Sequence, residues 1–322
     1  MFARLNNVIR LFVLCALAAN LAGAQAPKIG EINFYGLRKL TGEKILSTLA
    51  IHSGDPLPPS KGDLEERLGE VAGVVDARVQ AVCCQGPGTA LFIGIEERGG
   101  PHFNTRGEPV GSATLPDDLL ERYHDYLSAT ARSQTSEARR LEGTFTAFAD
   151  EQMELLREVL RNSSEPEHRA AAATIAAFAS KPAAVVNDLQ FALQDPDETV
   201  RANAARTLRD IAIQARKQPD TGIKIAPVWL VEMLNSLALG DRVQAVQALV
   251  VLTDQPNETA LDLVRTRALA ALADMARWKT LEYALPAFLL LGRSAGIADA
   301  EIQNQWQKGD REAMIRKAVD KR

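Results

Sequence analysis

Four histidines are the first residues to question. His52, His102, His124 and His168 are the chain's only imidazoles. None is spaced with another His, a Cys or a Glu as zinc or iron ligand sets are. His124 precedes Asp125 on a helix-like stretch, yet no nucleophile is marked beside them. The sequence marks no phosphate loop and no nucleophile elbow. Two cysteines, Cys83 and Cys84, stand side by side. Neighbouring strand residues point to opposite faces, so Cys83 continues an apolar set and Cys84 a polar one. Three readings stay open: a core thiol beside an incidental one, an intermolecular disulfide through Cys84, or a strained vicinal bridge. No catalytic, cofactor-binding or metal-binding residue is assigned from the sequence.

The elements that carry these residues begin after a leader. Arg4 and Arg10 precede a mostly apolar run from Leu11 to Leu21, and Ala22-Gly23-Ala24 is a small-residue cleavage pattern. The run is about a dozen residues, short of the roughly 20 that span a bilayer. Residues 1–24 therefore read as a signal peptide. The mature chain reads as exported, and periplasmic if the organism is a Gram-negative bacterium. Its removal leaves about 300 residues, one large or two ordinary domains. The formal charge of the whole chain is −4, and losing two leader arginines makes the product more acidic. An acidic chain without a basic block excludes ordinary nucleic-acid binding. No later segment is apolar for long enough to span a membrane.

From Pro27 to Gly99 the pattern is strand, helix, helix, strand, strand. Ile32 and Phe34 mark one face of the first strand, and Gly36 turns the chain. Ile45, Leu46 and Leu49 recur at helical spacing, as do Leu64, Leu68 and Val71. Val75, Ala77, Val79, Ala81 and Cys83 predict the apolar face of one strand. Leu91, Ile93 and Ile95 predict that of the next, with "CQGPGT" as a hairpin loop. The segments "INFYGLRKLTGEKIL", "GDPL" (Gly54 to Leu57), "GVVDARV" (Gly73 to Val79) and "LFIGIEERG" make this unit resemble the polypeptide-transport-associated (POTRA) domain. The resemblance implies capture of extended protein segments at a sheet edge, at the strand after the second helix. That strand is Val74 to Val82, with Val74, Asp76, Arg78, Gln80 and Val82 as candidate binding residues. No β-barrel follows and there is no tandem of such units, which departs from the family's usual setting.

Residues 100–145 read as a linker with one helix over "LPDDLLERYHDYLSATAR" and a polar loop from Ser133 to Glu142. Residues 146–292 read as helices in pairs. Asp195 is the expected cap of one helix, with Pro196 at its first position and Glu198 completing the box. Ser164 is the expected cap of an earlier one. Ile175, Leu208 and Leu249 align at intervals of about 33 to 41 residues. This period, the caps and the alanine-rich helices resemble HEAT-type repeats from Glu151 to about Gly292. Stacked pairs of this kind build a curved layer with a concave side. Residues 293–322 read as one capping helix. Arg201, Arg206, Arg209, Arg242 and Arg265 lie near Asp195, Asp197, Asp210 and Asp241, so bonding among repeat turns explains them better than a basic groove. Trp229 and Trp278 are candidate anchors for a partner.

The fold class is thus a small β-α-α-β-β domain followed by an all-α solenoid. Two interaction-type modules without chemistry between them point to an exported scaffold. It would bind a protein or peptide of the cell envelope and need no cofactor. A hydrolase or lyase built on the helical part is the alternative, and a self-assembling envelope protein is another. N-terminal sequencing of the secreted product should return Gln25 as its first residue. A product that still begins at Met1 would remove the leader reading.

Overall fold

The computed structural model describes residues 27–83 and 88–320. The leader and most of the expected hairpin loop lie outside these residues. Strand β1 (Ile29–Tyr35) is followed by helices α1 (Gly42–Leu49) and α2 (Lys61–Gly69), then β2 (Val74–Val82) and β3 (Thr89–Glu97). Thr41 and Ser60 cap the two helices, accepting from the amides of Lys44 and Asp63. The sheet order is β1-β3-β2, with β1 parallel and β2 antiparallel to the central β3. Ile45, Leu49, Leu64 and Leu68 pack on Ala77, Val79, Leu91, Ile93 and Ile95 to form a small core.

Both faces of the sheet are buried, which the alternating pattern of the sequence does not show. Along β3 the helix-facing Leu91, Ile93 and Ile95 are covered, and so are Ala90 and Phe92 on the other face. In β1 the polar-seeming side carries the buried Asn33 and Tyr35, while Phe34 is only half-buried. In β2 only Ala77 and Val79 of the expected apolar set are buried. Val75, Ala81 and Cys83 are exposed. The reason is reach: helices of eight and nine residues rise about 12–14 Å, while a nine-residue strand extends about 30 Å. The helices cover its middle alone.

Extended residues from Gly99 lead to the all-helical part. Its elements are α3 (Asp117–Ala131), α4 (Thr135–Glu151), α5 (Met153–Asn162), α6 (Pro166–Ile175), α7 (Val186–Ala192), α8 (Glu198–Lys217), α9 (Val228–Met233) and α10 (Leu239–Leu252). Then follow α11 (Glu258–Leu263), a π-helical turn (Val264–Ala268), α12 (Leu269–Ala276), α13 (Leu281–Ser294), α14 (Asp299–Lys308) and α15 (Arg311–Asp320). Helices α6, α8, α10 and α13 stack in sequence as one layer, and α5, α7, α9 and α11 lie behind them. Alanine permits this closeness: Ala171, Ala172, Ala204, Ala205, Ala245 and Ala248 are all buried.

Four local expectations change. The polar stretch at Ser133 to Glu142 is mostly helix, because Ala138, Leu141, Phe145 and Ala149 form a buried stripe at helical spacing. The cap of α8 is Asp197, which accepts from the amides of Thr199 and Val200; Asp195 is buried two residues earlier. Helix α6 starts after Glu165 without a side-chain cap, so Ser164 does not serve. The C-terminal segment is two helices, broken where Gly309 takes a left-handed conformation (φ +77°).

The turn after β1 depends on Gly36 (φ +83°), where a Cβ would sit 2.0 Å from the Ile95 carbonyl oxygen. Next to it, the Glu97 carboxylate accepts from three successive amides: Arg38 (2.7 Å), Lys39 (2.9 Å) and Leu40 (3.0 Å). Burial opposes this charge, but the amides and the Arg38 guanidinium outweigh it and hold the carboxyl below the ordinary glutamate range. A depressed folded value means that the stability is present above about pH 4.3 and is lost as pH falls through the folded value. Glu97→Gln should therefore unfold in less urea than wild type at pH 7, and the gap should close in acid. A gap of equal size at both pH values would show that the charge is irrelevant.

Candidate functional site

Strand β2 is an edge. Its ladder partner is β3 alone among the described residues. The Val79 amide donates to Glu65 Oε1 at 2.8 Å, so it points away from β3. By strand alternation the amides of Ala77 and Ala81 share that outer side. The Ala77 amide donates to the Asp76 carboxylate (2.7 Å). Two acidic side chains thus cover part of the edge, a common guard against indiscriminate pairing.

The five candidate side chains on β2 divide. Asp76 and Arg78 are exposed, and Val74 packs on the small core. Gln80 Oε1 accepts from the Leu239 amide (3.1 Å), and Val82 packs against the helical core. Gln80 and Val82 therefore hold the two parts of the chain together. At this end of β2 a cleft of about 440 Å³ is lined by Lys61, Ala81 and Val82 on the sheet side, and by Leu239, Val243, Gln244 and Tyr283 on the helical side. Gln244 Oε1 is buried without a hydrogen-bond partner among the described residues, so the cleft carries an unused acceptor.

The opposite edge, β1, is closed by the helical array. Trp278 is 1 % exposed and packs edge-on against Tyr35 (5.8 Å between ring centres) and Phe92 (5.1 Å). Its indole Nε1 donates to the Phe34 carbonyl at 2.9 Å. Asn33 accepts from the Lys279 amide (2.6 Å) and donates to Thr280 (3.2 Å), and the Gly36 amide donates to Asp274 (3.0 Å). Trp278 is therefore an internal anchor, and the expectation of a partner contact there is corrected: its ring has no free face. Trp229 is half-buried against the helical core.

Arginines at one position in successive helices form a ladder. Arg169 makes a two-pronged pair with Asp195 (2.9 and 2.8 Å) and donates to the carbonyls of Ser163 and Ser164. Arg201 repeats this with Asp241 and with the carbonyls of Asp195 and Pro196. Arg242 is third, yet it has no carboxylate. It donates to the Ser236 carbonyl and lies 4.5 Å over the Tyr35 ring. Burial lowers Arg242 to about 10, opposed by Tyr35 and Asp274, so it stays a cation at neutral pH. Burial raises the Tyr35 phenol, which remains a neutral donor to the Leu237 carbonyl (2.7 Å).

The expected linker is also attached. The Arg106 amide donates to the Gln194 carbonyl, and its guanidinium stacks 3.3 Å from the centre of the Phe191 ring. Gly111 exchanges backbone bonds with Asn162 and Ser164. The Leu115 amide donates to His168 Nδ1.

Groups with chemical potential do not converge. His102 meets Glu96 (2.9 Å) and His124 meets Glu167 (2.6 Å), all exposed or near the surface. Among the described residues no three His, Cys, Asp or Glu are grouped to hold a metal. Gly292 to Gly296 spells Gly-x-Ser-x-Gly, but it ends helix α13 instead of following a strand. Ser294 is buried and its hydroxyl donates to the Leu291 carbonyl, so it is not a presented nucleophile. Cys83 is exposed rather than buried, and it is disulfide-bonded; Cys84 lies outside the described residues.

Comparison with known families matches residues 153–249 to HEAT repeats. That stretch is similar to HEAT repeats. It runs from α5 into α10, contains the whole arginine ladder, and spans under a third of the chain. No curated protein matches the chain. Trp278→Ala should cost about 3–5 kcal/mol in urea unfolding, and Trp229→Ala distinctly less. Equal costs would contradict the anchoring role of Trp278.

Proposed function

We propose that this protein is an exported binding scaffold that receives an extended polypeptide segment along the β2 edge, where Glu65 and Asp76 yield the amides of Val79 and Ala77 to it. One observation carries the reading. Of the sheet's two edges, β1 packs against the turn at Trp278, Lys279 and Thr280 and gives its Phe34 carbonyl to the indole, while β2 ends the sheet. An edge strand offers main-chain donors and acceptors that a partner strand satisfies with little demand on sequence. The adjoining cleft at Ala81, Val243 and Tyr283 gives an incoming side chain an apolar seat.

The POTRA-like reading of the first domain is supported by its element order and by the edge position of the strand after α2. Export is supported by the leader pattern alone. The helical array has a second role beside the protein-binding surface that its repeats suggest. It fixes the sheet so that one edge only is presented. HEAT-type repeats suit protein contacts, and the scattered histidines favour binding over catalysis.

A photo-cross-linking residue at Asp76, used in cells, should capture a discrete protein adduct. Ala81→Pro removes an outward amide and leaves the ladder to β3 intact. It should reduce the adduct at least tenfold while the melting temperature stays within a few degrees. An undiminished adduct in the correctly folded Ala81→Pro variant would rule out edge pairing.

A further inference from the structure

The joint between the sheet and the helices leaves a second cleft, far along β1 and β3 from the β2 cleft. It has a volume of about 320 Å³. Strands β1 and β3 are parallel neighbours, so their carboxyl ends open side by side, and such crevices are frequent ligand sites. The loop after β1 brings Arg38 and Lys39, and the end of β3 brings Glu97 and Arg98. The third wall is the π-helical turn, which brings Arg265 and Arg267. A π-turn costs helical hydrogen bonding and is over-represented at functional sites.

The lining has five cations against one carboxylate, and Glu97 is already engaged by three backbone amides. Three of the cations are tethered. Arg38 pairs with Asp274 (2.9 Å), Arg267 with Glu232 (2.6 Å), and Arg265 with Glu258. None of these acids lines the cleft. The pairs hold the side chains in place, and Nε and Nη2 of Arg38 and Arg267 have no hydrogen bond among the described residues. Lys39 and Arg98 have no ion-pair partner there at all. Fixed guanidinium forks beside two unpaired cations suit an oxygen-rich anion.

We propose that this cleft binds a compact oxyanion carrying at least two negative charges, of the diphosphate or tricarboxylate type. The volume sits at the lower end of small-ligand sites, and the three walls place charge around the ligand. Because the ligand would touch both the loop after β1 and the π-turn, it would also tighten the joint. This site is separate from the β2 edge and does not depend on the peptide-binding reading.

Titration calorimetry on the full mature chain, with inorganic pyrophosphate, citrate and acetate as probes, tests the proposal. Pyrophosphate and citrate should bind, acetate should not, and added salt should weaken both. The double variant Lys39→Ala/Arg98→Ala should bind at least tenfold more weakly at an unchanged melting temperature, because neither side chain has a partner to lose. Arg267→Gln provides a second, independent reduction from the opposite wall. Absence of heat at low salt with millimolar pyrophosphate would overturn the proposal. So would wild-type affinity in both variants, or equal binding of acetate.

Discussion

The joint between the sheet and the helical array depends on one buried indole. Trp278 sits at the start of the turn between α12 and α13 and fills the space between Tyr35 and Phe92. Its N–H reaches the Phe34 carbonyl on the outer side of β1. A large apolar body with a single donor meets both needs of that place: it covers the sheet face and satisfies a strand edge. Gly94 shows how tight the arrangement is. A Cβ there would lie 2.3 Å from the Tyr35 ring, so a strand-weakening glycine stands in the middle of β3 because the ring occupies that volume.

The joint is also where the arginine ladder ends. Arg169 and Arg201 each reach the aspartate of the next helix, and the pattern calls for a third carboxylate opposite Arg242. Asp274 is the acid in that region, and it is taken by the Gly36 amide and by Arg38. Tyr35 fills the gap, offering its ring face to Arg242 in place of a charge. Arg242 Nη1 and Asp241 Oδ1 are left without partners. The sheet thus interrupts a repeating structure, and the unsatisfied atoms lie beside the interruption.

The sequence carried the order of elements well, because each has a local signal: alternation in β2, helical spacing in α1 and α2, and a clear aspartate-rich start at α8. It carried HEAT-like stacking through the recurrence of Ile175, Leu208 and Leu249. What it did not carry was the second face of the sheet. Asn33 and Tyr35 look like a solvent face, and only a segment 244 to 246 residues later turns them into a core. Trp278 resembles a partner anchor for the same reason: size and polarity mark an interface, without saying whose. The near-continuous apolar run "TALFIGI" in β3 was the available hint that both faces are covered. The π-turn has no sequence mark that periodicity can detect, so the cleft it lines was invisible.

The hydrogen bonds between sheet and helices join residues 159 to 249 positions apart. Contacts of that separation form late, since the loop entropy must be overcome before any of them contributes. Helices of the repeat segment rest on neighbours and can assemble as they are made. The sheet cannot complete itself in that way. Tyr35 and Phe92 stay uncovered until the turn at Trp278 exists, so this face passes through synthesis as an open apolar surface. The first strand to be made is among the last to be sealed.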